Sequence, residues 1–391
     1  MDCGPLPKKA PSITGKSAAE LTKELWEAGV KVREDVEEVV RSFINMVLRA
    51  EETVSMFVIG EWGEGKTSVF DGYMKTLAPK DKIMLLETSA KRLVSSVRAM
   101  KPMAGQSAAV TFTAALLHSI AMEYLERGEK LLPPYEGGPL HEYAKKALDE
   151  LMKKAQGRRV IIFIDEFEEI VSPSNKDVVK EVINGLIDLI NGQFGYLQEK
   201  YPGSLHLVIA MTPYAYHKAL SLAEIDESLK GRAERRLHFK LELRPLTRSE
   251  GYKLVASIFK YSYGQEYSPV PHQFVNTLYT ASQGNPGALT SLTNFVITSL
   301  VEGNCTIRPK DPTKLVSLLS RATVFTYVGS SKALDELYYE KALLPLTYGE
   351  EDFKKVLATI AAYYYPLSEG ELAQLSGVED AKEKLEILDQ R

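Results

Sequence analysis

Along the chain the spacing of apolar positions changes period twice, and each change marks a different kind of element. Val36, Val39, Val40, Phe43, Ile44 and Val47 recur at helical spacing and predict a helix over 33–50, with another helical pattern over 17–28 before it. Val54–Ile59 is then a short unbroken apolar run closed by glycine, the pattern of a strand buried on both faces of a parallel sheet. Further strands are predicted at Lys82–Glu87, Val160–Ile164, Leu205–Met211 and Leu237–Leu243, with helices near 67–77, 107–127, 140–155 and 176–198 between them. Strands separated by helices predict a parallel sheet covered on both faces, because a parallel pair needs a long crossover. From Arg248 onward the pattern is helical throughout: 248–260, 270–282, 286–301, 312–323 and 350–364.

Two motifs fall at the ends of predicted strands. Gly60-Glu61-Trp62-Gly63-Glu64-Gly65-Lys66-Thr67, followed by Ser68, matches G-x-x-x-x-G-K-[ST] between a strand and a helix, the context this phosphate-binding loop requires. Glycines let successive backbone N–H groups turn inward as an anion nest, and the helix that starts there adds its positive end. Lys66 is expected to bridge β- and γ-phosphates of ATP, and Thr67 to ligate Mg²⁺. The second motif is Val160–Ile164 ending in Asp165-Glu166, which puts two carboxylates at the carboxyl edge of the sheet, where open α/β sheets bind ligands. Asp165 is expected to hold Mg²⁺ and Glu166 to activate the attacking water.

Composition narrows the class without changing this picture. At 391 residues, 45% hydrophobic and 26% charged, the chain can build two or three ordinary globular domains. A net charge of −4 gives no overall attraction to nucleic acid, so any such surface must be local. Cys3 and Cys305 form no metal-spaced cluster, and so few cysteines suit a reducing compartment. The first residues lack the apolar stretch of a signal peptide, and no apolar run approaches the roughly 20 residues that cross a bilayer. A cytoplasmic protein with no membrane partner is expected, with residues 1–16 as a mobile tail.

With these motifs in this order, the chain resembles the AAA+ ATPases over roughly 30–300, nearest the initiator and DNA-loading clade of origin recognition ATPases. Transposition-regulator and STAND signalling ATPases are similar in appearance. Trp62 also resembles the KAP-type loop G-x-W-G-x-G-K, but the acidic strand of that group ends in several aspartates where this one reads Asp-Glu-Phe. The resemblance implies a five-stranded parallel core over 51–246, preceded by a tail and linker helices over 1–50 and followed by a helical lid over 247–325. It implies further site residues: Thr212 at the end of the fourth strand as sensor 1, Arg236 before the fifth strand as an arginine finger (Arg235 the next choice), and Val32 beside the adenine. Gln283-Gly284-Asn285-Pro286-Gly287 resembles the sensor 2 turn, yet many relatives carry an arginine where this chain has Gly287, and none follows until Arg308.

An arginine finger acts on a neighbour's nucleotide, so the resemblance implies a homo-oligomer, ring or filament. Residues 326–391 complete the expected domains, with three short helical patterns similar to the start of a winged-helix domain. Across 351–391 nine acidic side chains (Glu351, Asp352, Glu369, Glu371, Glu379, Asp380, Glu383, Glu386, Asp389) face five basic ones (Lys354, Lys355, Lys382, Lys384, Arg391). That balance suits a protein partner better than DNA, whose phosphates need cations. DNA, if bound, would meet Lys91, Arg92, Arg98 and Lys101 after the second strand; a solvated helix is the plainer reading of that run. The function expected is ATP-driven loading or remodelling of a partner on DNA, the alternative a signalling switch that works through protein partners.

Overall fold

The computed structural model describes residues 32–100, 107–172, 175, 178–223, 239–263, 272–302, 351–362 and 368–389. Five strands, β1 (Ser55–Ile59), β2 (Ile83–Ser89), β3 (Arg159–Asp165), β4 (Leu205–Met211) and β5 (Phe239–Glu242), form one sheet in the order β2-β3-β4-β1-β5. All neighbours are parallel, with Ile59 opposite Met211 and Ser89 opposite Asp165. All five residues of β1 and all seven of β4 are buried, which is why neither run shows polar alternation in sequence.

Alternate side chains of each strand go to opposite layers. Val160, Ile162, Ile164, Leu207 and Ile209 face helices α3 (Ala90–Met100), α4 (Ala108–Glu126), α5 (Leu140–Ala155) and α6 (Val179–Ile190). Met56, Val58, Ile161, Phe163, Val208 and Ala210 face α1 (Glu34–Val47) and α2, which runs from Lys66 to Leu77 and widens to a π-turn over Val69–Met74. On that side Phe163 stacks flat on Phe70 at 4.6 Å between ring centres. Helix α4 is long and apolar enough to cross a membrane by length and composition, but 61% of its apolar window is buried inside the fold. Its apolar character serves contacts with α3, α5 and α6.

The basic run after β2 lies on a helix, Ala90–Met100, as its plainer reading had it, but one face of that helix is buried through Leu93, Val94 and Val97. The helix Pro213–Ala223 (α8), which begins straight after β4, was not foreseen. The helix expected over 176–198 is instead α6 and a separate short helix α7 (Gly195–Lys200), because the chain turns at Gly192 with a left-handed φ of 74°.

The chain divides into two compact units, Met1–Val316 and Ser317–Arg391. The first also contains the helices α9 (Arg248–Tyr263), α10 (His272–Ser282) and α11 (Pro286–Glu302). The expected boundary between residues 325 and 326 and the helices expected at 17–28 and 312–323 lie outside the described residues. In the second unit α12 (Glu351–Ala362), α13 (Glu369–Ser376) and α14 (Ala381–Asp389) gather around Val356, Leu372, Val378 and Ala381. A reciprocal capping box of Ser368 and Glu371 starts α13, and Gly377 ends it in the left-handed region.

Candidate functional site

The sheet's carboxyl edge brings three sequence motifs together. β1 runs straight into the loop, and Gly60 N–H donates to Met211 O at the end of β4 (3.1 Å), so Thr212 lies beside the loop's first residue. Gly65 has φ 97°, a conformation costly for other residues, and α2 begins at the next position. Lys66 is buried, its Nζ donating to Gly60 O (2.8 Å) and Glu61 O (3.2 Å). The ammonium is thus held against the loop's own carbonyls.

Thr67 and Asp165 meet, although 98 residues separate them: the Thr67 hydroxyl donates to Asp165 Oδ2 at 2.7 Å. Glu166 N–H donates to Asp165 Oδ1 (2.9 Å), while the Glu166 side chain is exposed on a residue with φ 55°. Burial pushes the Asp165 carboxyl up, opposed by the Thr67 hydroxyl and the Glu166 amide. A third carboxylate, Glu168, sits in the same electrostatic field. Burial pushes it up as well, Lys66 opposes that shift, and its Oε2 is buried without a hydrogen-bond partner.

Other expected residues fare differently. Thr212 Oγ1 accepts from Ala215 N–H (3.3 Å) and so caps α8. Val32 is half-buried next to Arg33. Arg236 and Arg235 lie outside the described residues, as does Lys101. Within the basic run after β2, Arg92 is paired: its Nε donates to Glu123 (2.9 Å), and its Nη1 and Nη2 donate to Glu126 (2.8 and 2.6 Å), while Lys91 and Arg98 are exposed. Those carboxylates come from α4, whose packing against α3 could not be read from the local charge run.

Several residues that hold the loop had no local signal. Arg33 is buried; its Nη1 donates to Glu64 O (3.3 Å) and its Nη2 to Arg244 O (2.8 Å), tying the loop to the segment after β5. Glu64 Oε2 accepts from Glu61 N–H at 2.7 Å. From the far end of the unit, Asn285 Nδ2 donates to Trp62 O (2.8 Å), and Gly287 N–H donates to Gly63 O (2.8 Å). Only the turn motif at 283–287 hinted at that last contact.

The arrangement offers a glycine-rich loop that opens a helix and an ammonium for phosphates, a hydroxyl–carboxylate pair for a hard cation, and an exposed carboxylate at the same edge. Among the described residues no group of three or more His, Cys, Asp or Glu could hold a metal by itself. Mg²⁺ does not need one, since it binds through one or two protein oxygens plus substrate phosphates and water.

The model of the ATPase family associated with various cellular activities (AAA) matches residues 56–241. No curated protein matches the sequence. Among solved structures, the Aeropyrum pernix ORC2 protein in its ADPNP–ADP complexes is similar at 13% identity, covering 92% of this chain and 85% of that one, with a TM-score of 0.57. Its ADP form gives 12% identity, 91% and 84% coverage and a TM-score of 0.53. The Thermotoga maritima RuvB Holliday junction branch migration motor gives 16% identity, 92% and 86% coverage and a TM-score of 0.41. At such identities the two ORC2 likenesses speak for the fold alone. The family match covers the core in which β1 feeds the phosphate loop and β3 ends in Asp165, so that residues 56–241 of this chain form an AAA ATPase core.

Proposed function

We propose that the chain hydrolyses ATP, with Lys66 on the β- and γ-phosphates, Thr67 and Asp165 holding Mg²⁺, and Glu166 taking the proton of the attacking water. The observation that carries this is the 2.7 Å Thr67–Asp165 contact with the exposed Glu166 carboxylate next to it. A half-buried carboxylate pushed up by desolvation and hydrogen-bonded to a hydroxyl suits a divalent cation. Mg²⁺, when bound, would neutralise charge on the phosphate oxygens. Everything else falls to the chain's own groups: loop amides orient the phosphates, Lys66 adds fixed charge, and Glu166 accepts a proton. Glu166→Gln should still bind ATP but turn it over at least about 10²-fold more slowly, the scale for losing a general base. Steady-state phosphate release beside a nucleotide-binding titration measures both; wild-type turnover in that variant would place the base elsewhere.

We further propose that copies assemble head to tail through Arg236 and couple hydrolysis to loading or remodelling a partner on DNA. The fold shared with the ORC2 protein supports this reading. A second reading, a switch acting through protein partners, draws on two observations: Arg92 is already neutralised by Glu123 and Glu126, and residues 351–391 are acidic. Fluorescence anisotropy of duplex DNA across a salt series separates the two. Binding that weakens with salt supports the first, and absence of binding with or without ATP favours the second.

A further inference from the structure

We infer that the turn opening α11 is a latch on the phosphate loop, and that Asn285 and Gly287 are positioning residues for nucleotide, linking the lid to the site without an arginine. The inference rests on the reading that this loop binds ATP. A peptide unit is planar and trans, so its C=O and N–H point in opposite directions. A loop that offers N–H groups to phosphates must therefore turn carbonyls outward, and outward carbonyls need donors. For two of them, Trp62 O and Gly63 O, the donors come from the lid. Asn285 Nδ2 holds Trp62 O at 2.8 Å, which fixes the peptide plane carrying the Gly63 N–H. Gly287 N–H holds Gly63 O at 2.8 Å.

The fit explains why glycine stands at both positions. A Cβ on Gly287 would meet Gly63 Cα and O at 3.0 Å, and a Cβ on Gly63 would meet Asn285 Oδ1 at 2.5 Å. An arginine at 287 would hold the turn off the loop. Asn285 does two jobs, since its Oδ1 also accepts from Ala288 N–H (2.9 Å) as the cap of α11. The turn is anchored in its own right: Leu246 N–H donates to Gly284 O (2.8 Å) and Tyr279 OH to Leu246 O (2.8 Å). Coupling is reciprocal, so a latch that orders the loop for nucleotide is itself tightened by nucleotide.

The test uses Asn285→Ser in the full chain. Serine keeps an oxygen that can cap α11 but is too short to reach Trp62 O. Gly287→Ala, which crowds the same contact, is the second variant. Losing one or two such hydrogen bonds should weaken ATP binding on the order of tenfold, seen as a raised KM with kcat within about twofold. In wild type, hydrogen exchange at the Gly287 amide should slow when ATP is added, and in Asn285→Ser that slowing should shrink. If Asn285 only caps its helix, Asn285→Ser will match wild type in KM and in exchange, and the latch is overturned. Tighter binding in both variants overturns it too. A wild type that binds no ATP instead overturns the loop assignment on which the latch depends.

Discussion

Arg244 and Glu250 show how one residue pair can serve the region next to the site. Arg244 Nη1 and Nη2 fork onto the two Glu250 oxygens at 2.8 and 3.0 Å. The same carboxylate accepts Thr247 N–H (2.7 Å), and Glu250 N–H donates to Thr247 Oγ1 (3.2 Å), a capping box that starts α9. Chiefly through the Arg244 hydrogen bonds, the Glu250 carboxyl is held down to about 2 from an ordinary 4.5. A depressed carboxyl stabilises the fold above its unfolded value, and that stability is lost as pH falls from about 4.5 through about 2. Arg244→Ala should therefore return the Glu250 titration toward 4.5 and flatten this part of the acid-stability curve. Carbon-detected NMR titration of the Glu250 carboxyl checks it, and an unchanged midpoint would show that the capping bonds alone hold the carboxylate down.

At the scale of elements, the site depends on strands that keep their register under packing from both layers. Phe163 is two residues before Asp165 and fully buried, stacked on Phe70 of α2. That pair ties the strand carrying Asp165 to the helix that begins at the phosphate loop. Phe163→Ala should cost about 3–5 kcal/mol of unfolding free energy, through lost burial and the cavity left behind. Denaturant unfolding without nucleotide measures it. A loss below about 1 kcal/mol would mean that the layers close over the gap. Loosened register in β3 should also weaken the Thr67–Asp165 contact, so Mg²⁺-dependent ATP affinity should fall in the same variant.

For the whole molecule, the proposed head-to-tail contact implies that activity rises more than linearly with protein concentration. Lys66→Ala should abolish tight ATP binding in its own site, and Arg236→Ala should bind ATP but hydrolyse it slowly. Mixed together, each supplies what the other lacks, so hydrolysis should partly recover. An arginine supplied in trans is worth about 10³–10⁵ in rate in phosphoryl transfer, so recovery would stand well above either variant alone. No recovery at any ratio, with turnover strictly proportional to concentration, would point to a monomer that needs no neighbour.

What the sequence by itself determined is local or strictly periodic. The buried runs at 55–59 and 205–211, the helix at 140–155 and the glycine-lysine-threonine loop could be read because each is set by neighbours along the chain. The sheet order could not be read, since parallel strands pair across crossovers that leave no pattern in either strand. Nor could the partners of the loop. Arg33 reaches Arg244 O across 211 residues and Asn285 reaches Trp62 O across 223, contacts that exist only once separate elements have packed. Arg92 shows the same limit in charge: a cation in sequence, it is neutralised by two carboxylates of the next helix. Local physics wrote the phosphate loop and the acidic strand end, whereas tertiary packing decided which donors hold that loop and which charges remain to meet a partner.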